Sequence, residues 1–103
     1  MYNIEYLPIA RQDIEAIVLY ISGQLKAPQA ALDLLDALEH AILLLSEFPY
    51  AHSVYRPKAR LEEEYRLLPV KNYAVFYTVS EQKKLVEIRR VLYAKMDLDR
   101  VIK

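Results

Sequence analysis

The sequence predicts an α+β domain in the order β-α-α-β-β-β with a short C-terminal helix, its twisted, mainly antiparallel sheet packed on a helical hairpin. Three observations lead there. Tyr2, Ile4 and Tyr6 alternate with Asn3 and Glu5, the period of a half-buried strand. Two apolar stripes at three- and four-residue spacing follow between residues 8 and 48. Three β-type runs then arrive back to back between residues 64 and 94, separated only by short turns.

Pro8 ends the first strand and opens a helix to about residue 24. Ile14, Ile17, Val18, Ile21 and Leu25 form its stripe, Asp13 and Glu15 lie towards its favourable N-terminal end, and Gly23, the only glycine, is its natural stop. The second helix starts near Pro28, a first-turn position, and runs to Phe48 before Pro49 closes it, about 20 residues or roughly 30 Å. Its seam is Ala31, Leu35, Leu38, Ile42 and Leu45, widened by Leu34, Ala41, Leu44 and Phe48. The seam has coiled-coil spacing, but a short connection between the helices favours a hairpin that covers a sheet. Residues 49–60 carry two prolines and no period, and form the one long loop. Strands follow at 64–70, 73–79 and 85–94. Lys71-Asn72 makes a tight hairpin in which Asn72 takes positive φ, and Ser80 to Lys84 make the second turn. By strict alternation Val86, Ile88, Arg90 and Leu92 share one side of the last strand against Leu85, Glu87, Arg89, Val91 and Tyr93. Which arginine reaches the uncovered face stays open.

A chain of 103 residues forms one domain, residues 1–103, able to bury roughly two thirds of its unfolded surface. No apolar run approaches the ~20 residues of a membrane span and the N-terminus is unlike a signal peptide, so a cytoplasmic protein with no membrane partner is expected. With no cysteine and only His40 and His52, no metal site or cofactor is expected. Net charge is zero, yet residues 1–54 hold two basic side chains against seven acidic and residues 55–103 twelve against seven, net −5 against +5. That polarity suits either an ordinary solvated surface or a sheet face that meets a polyanion or an acidic protein segment.

In the last third, Asn72-Tyr73 is followed by Val75-Phe76-Tyr77, and Ile88-Arg89-Arg90-Val91-Leu92-Tyr93 by Met96-Asp97-Leu98. In this order and spacing the chain resembles the RelE/ParE family, toxins of bacterial type II toxin–antitoxin systems, and the resemblance extends more weakly over the whole length. It implies a growth-arresting toxin associated with plasmid stabilization. Its partner would be a cognate antitoxin from an adjacent gene, whose flexible C-terminal segment folds onto the toxin.

Two activities are implied by the two branches of the family. RelE-like members cut messenger RNA on the ribosome and need a base, an acid and cations for the charged transition state. Carried over by position, their second-strand cation falls at Arg66, its companion at Leu68, the third-strand arginine at Ala74, the arginine after the last strand at Ala94 beside Lys95, and the terminal aromatic at Tyr93. Three of those positions are apolar. ParE-like members bind DNA gyrase without such a set, and Leu92-Tyr93, Lys95 and Met96-Asp97-Leu98 are similar to that branch's ending. A ParE-like gyrase inhibitor, not itself catalytic, is therefore the preferred reading over a RelE-like endoribonuclease or a toxin that has lost activity.

The candidate residues for target or antitoxin binding are Arg66, Tyr73, Arg89, Arg90, Tyr93 and Lys95, with Arg66 and Tyr93 the weak candidates for catalysis. Tyr65, Tyr73, Tyr77 and Tyr93 could stack on bases, though strand tyrosines more often pack as cross-strand pairs. His52 is a possible acid or base in the long loop, or an ordinary surface histidine. Glu62, Glu63 and Glu64 cap or solvate a strand entrance, and Asp97 caps the tail helix.

Overall fold

The computed structural model describes residues 1–55 and 63–96. The order is β1 (Asn3–Tyr6), α1 (Pro8–Leu19) running into a π-wound turn (Tyr20–Gln24), α2 (Pro28–Leu44), β2 (Arg66–Val70), β3 (Tyr73–Ser80) and β4 (Leu85–Tyr93). One sheet forms in the order β1-β4-β3-β2. β4 is antiparallel to β3 and β3 to β2, while β1 joins β4 in parallel. The anticipated tail helix and its Asp97 cap lie outside the described residues.

Helix starts rest on proline. Pro8 and Pro28 occupy first-turn positions, where a missing N–H leaves no bond unmade, and neither helix has a side-chain cap. Asp13 and Glu15 are not in the first turn of α1, contrary to the expected dipole role. Gly23 is not the stop either: no glycine has positive φ, and Lys26 (φ 52°) turns the chain instead, as Lys71 (φ 53°) does in the β2–β3 hairpin in place of Asn72. The winding has already widened at Tyr20–Gln24, where the Leu25 N–H reaches back to the Tyr20 carbonyl, so the chain leaves the helix gradually.

The main core lies between the hairpin and the sheet. Leu34, Leu38, Ile42 and Leu45 of the second helix and its exit meet Val75, Tyr77, Val86, Ile88 and Val91. Leu34 rather than Leu35 belongs to the buried seam, and Leu44, Phe48 and Leu25 are exposed, because the hairpin buries a narrower arc than its hydrophobicity allows. The other face of the sheet is not bare. Ala74, Phe76 and Leu92 form a second small core there, covered by Tyr55, Tyr65 and Leu67, with the Tyr55 ring edge-on to Phe76 at 5.0 Å.

A β-bulge settles which way β4 faces. Tyr77 pairs with Ile88 but Phe76 with Arg90, which leaves Arg89 as the extra residue. Strict alternation therefore fails at that point. Val91 returns to the helix face with Val86 and Ile88, while Leu92 goes to the opposite core.

Candidate functional site

β1 is only four residues long and pairs with Leu85 to Ile88, so the outer edge of β4 is uncovered from Arg89 onward. α1 closes part of that gap with one side chain. The Asp13 carboxylate accepts from Arg90 Nε at 2.8 Å, from Arg90 Nη2 at 3.0 Å and from the Val91 N–H at 2.9 Å. It thus stands in for the missing strand at Val91 and holds the guanidinium at the same time. Asp13 is 13% and Arg90 24% exposed, so water reaches the pair only partly.

Beyond this pair an open groove of about 940 Å³ runs between the end of α1, the start of α2 and the β3–β4 sheet. Its walls are Ile17, Tyr20, Leu25 and Leu34 from the helices, Tyr73 and Tyr93 from the sheet, and Met96 at the exit. The π-wound turn helps to build it, since the Leu25 N–H bonds back to the Tyr20 carbonyl there and both residues line the groove. Tyr73 and Tyr93 face each other across the strands, centroids 5.7 Å apart and 67° inclined. Burial, then the neighbouring hydroxyls of Tyr93 and Tyr20, pushes the Tyr73 phenol up, so it stays protonated and available as a donor through the physiological range.

The expected site residues divide among three places. Tyr73, Arg90 and Tyr93 meet at the groove, and Lys95 directly precedes its lining residue Met96. Arg66 lies elsewhere, its guanidinium donating to the His52 carbonyl at 2.8 Å, paired with Glu64 at 3.2 Å and stacked 4.9 Å from the Tyr50 ring centre. Arg89 is on the second-core face, held by Glu63 and Glu87, each at 2.9 Å, and lying over Tyr65. Its Nε is buried without a partner among the described residues. Glu63 and Glu64 thus anchor arginines rather than merely solvating the strand entrance. Tyr77 is fully buried, its hydroxyl donating to the Pro49 carbonyl at 2.8 Å, and is withdrawn from any stacking platform.

Sequence reasoning missed Asp13, Tyr20, Lys26 and Lys71 as neighbours of this groove. Nothing in the hydrophobic period of α1 distinguishes Asp13 from a solvated acid, and Tyr20 falls outside the stripe until the winding widens. The RNA-cleavage positions are equally plain in three dimensions. Leu68 and Ala74 are 4% and 1% exposed and belong to the cores, so neither position can present a cation to a substrate. Among the described residues no three His, Asp or Glu side chains converge as metal ligands, and no helix is long and apolar enough to cross a membrane.

The fold has clear counterparts. The chain superposes on a structure described as a chromosomal ParDE toxin–antitoxin system from P. aeruginosa with a TM-score of 0.73, at 16% identity over 92% of this chain and 98% of that one. A toxin–antitoxin complex RelBE2 from Mycobacterium tuberculosis gives 0.61 at 19% identity, covering 89% of this chain and 96% of that one. The intact E. coli RelBE complex gives 0.56 at 14% identity, covering 93% and 100%. No curated protein sequence matches at a significant level. A family profile described as the ParE toxin of the type II toxin–antitoxin system parDE matches residues 4–98, nearly the whole chain. With that sequence match on top of the shared β-α-α-β-β-β fold, the chain belongs to the ParE toxin family of type II toxin–antitoxin systems.

Proposed function

We propose that this toxin arrests growth by binding DNA gyrase, without cutting RNA, and that a cognate antitoxin neutralises it in the cytoplasm. The observation that carries the choice is the absence, among the described residues, of a cationic catalytic set at the expected sheet positions. Leu68 and Ala74 are core side chains, and Arg66, the cation that remains at an expected position, already serves His52, Glu64 and Tyr50. Each missing transition-state donor lowers a rate by roughly 100- to 1,000-fold, so two losses leave phosphodiester cleavage too slow to poison translation. A gyrase-binding mode asks for no such groups, and the family profile belongs to the ParE branch. The antitoxin follows from the same family and from neighbours solved as ParDE and RelBE systems.

Induced expression without a partner should stop growth, and purified protein should inhibit gyrase supercoiling or trap cleaved DNA while transcripts on translating ribosomes stay intact. Codon-phased cuts that vanish in Arg66→Ala would overturn this reading in favour of an endoribonuclease. Undiminished growth with folded protein present would point to a toxin fold that has lost activity.

A further inference from the structure

The helical hairpin carries a second depression, on the side of α1 opposite the groove. An open cleft of about 660 Å³ lies there between the two helices, lined by Arg11, Ile14, Glu15 and Leu19 of α1 and by Leu35 and Glu39 of α2. Leu32, Leu35, Glu39 and Leu43 follow at three- and four-residue spacing and so share one stripe of α2 along the cleft. Leu19, Leu32 and Leu43 leave 61, 55 and 65% of their surface in water, an exposed apolar patch of the kind that marks an interaction site. The charges around it are mostly negative. Glu15, Asp36 and Glu39 are exposed, and none has a hydrogen bond or ion pair among the described residues. The one cation of the lining, Arg11, lies over the Tyr6 ring at 4.8 Å. The basic residues outside the described ones follow Tyr55, which covers the far face of the sheet, and Met96, in the groove across α1.

We infer that this cleft is where the toxin holds its target, through a cationic amphipathic helix with apolar residues on one side and Lys or Arg along its edges. The inference rests on the gyrase reading above and adds the location and chemistry of the contact. A helix laid into a groove anchors through residues at i, i+3, i+4 and i+7, a spacing that matches the leucines along α2. The 12 residues of α1 extend about 18 Å, so about three turns of a partner helix run along that wall. Its flanking cations meet three carboxylates that no described residue satisfies, and act mainly on the rate of association, its salt dependence and the choice of partner. A target that handles DNA is the kind of protein that carries Lys- and Arg-rich elements, since it must neutralise phosphates. The same charges disfavour other occupants. A second copy of this chain would set Glu15, Asp36 and Glu39 against their own equivalents, and a nucleic acid would bring its phosphates up to them.

The test uses the full-length protein with each purified gyrase subunit as probe, binding being measured by calorimetry at two salt concentrations and growth arrest in cells beside it. The double variant Leu19→Lys with Leu43→Lys sets two cations in the apolar stripe, each in the last turn of its helix, where a cation suits folding. It should weaken binding by about tenfold or more, roughly the loss of one strong interface contact, and no longer arrest growth. The triple variant Glu15→Gln, Asp36→Asn and Glu39→Gln should lose about tenfold and much of the salt dependence. Lys71→Gln, in the groove on the other side of α1, should bind as the wild type does. Circular dichroism melts confirm that each variant is folded. Equal binding by the wild type and both cleft variants overturns the inference and leaves the gyrase reading standing. A wild type that arrests growth without binding either subunit overturns the gyrase reading; the cleft remains the target site if the leucine variant no longer arrests growth, and is overturned as such if it still does. Dimers of the wild type in light scattering that are lost in the leucine variant, while gyrase binding is kept, overturn the inference in favour of a second copy.

Discussion

Replacing Asp13 with alanine strikes one side chain that holds the helical hairpin to the open edge of the sheet. The wild-type carboxylate receives three hydrogen bonds between 2.8 and 3.0 Å, two of them from a guanidinium. Removing one partner of a fully buried pair costs about 3–5 kcal/mol, because a charge is left unpaired out of water. Here 13% of Asp13 and 24% of Arg90 stay exposed, so the stranded guanidinium recovers some hydration. The cost therefore falls to about 2–3 kcal/mol, below that of a fully buried pair and well above the 0–1 kcal/mol of a surface pair. For a domain of this size that lowers Tm by about 10–20 °C. Asp13→Asn keeps an acceptor for the Val91 N–H but loses the charge, and should cost about half as much. Urea unfolding followed by circular dichroism measures it, with an unchanged m-value showing that stability alone moved. Arg90→Met on each background completes a cycle whose coupling should be about 1–2 kcal/mol. A loss below ~0.5 kcal/mol, or strictly additive single effects, would show that the pair is an ordinary solvated contact and that α1 is held by its apolar residues alone.

The backbone and the pH dependence supply two more tests. Gly23 sits in the helical turn without positive φ, and an added Cβ would meet nothing within 4 Å, so Gly23→Ala should stabilise by about 0.4–1 kcal/mol in the same urea assay, and destabilisation would contradict its conformation. Glu81 accepts from Lys84 and from the hydroxyls of Tyr2 and Tyr50, which holds its carboxyl at about 2, below the ordinary 4.5. A carboxyl depressed by folding stabilises above its unfolded value and loses that contribution as pH falls towards the folded one. Tm should therefore drop between pH 5 and 2 more steeply for wild type than for Glu81→Gln, and parallel curves would dismiss the cluster.

Much of the architecture was legible because local patterns and global fold agree. The period-two residues Tyr2, Ile4 and Tyr6 form β1, Pro8 and Pro28 open both helices, and the three late runs are β2, β3 and β4 at nearly the expected bounds. The misreadings have two physical sources. Helical periodicity reports how apolar a face is, not how much sheet is present to cover it, so Leu25, Leu44 and Phe48 read as core and lie in water. Alternation along β4 likewise assumes an unbroken ladder, and one extra residue at Arg89 exchanges the faces of everything after it.

For the candidate site, the chain alone supplied the residue types: two tyrosines at Tyr73 and Tyr93, the paired arginines Arg89 and Arg90, apolar Leu68 and Ala74 where catalytic cations would stand, and the excess of base in the second half. Those facts are local in sequence and survive any folding. Tertiary structure decided how they are combined. The bulge at Arg89 turns Val91 to the helix face and Leu92 to the other, against strict alternation, and Arg90 finds Asp13, 77 positions away, only because β1 stops short and leaves the sheet edge open to α1. Pairings of that kind depend on where an element ends and how its register slips, quantities of a few ångströms set by packing across the whole domain and by no short stretch of residues.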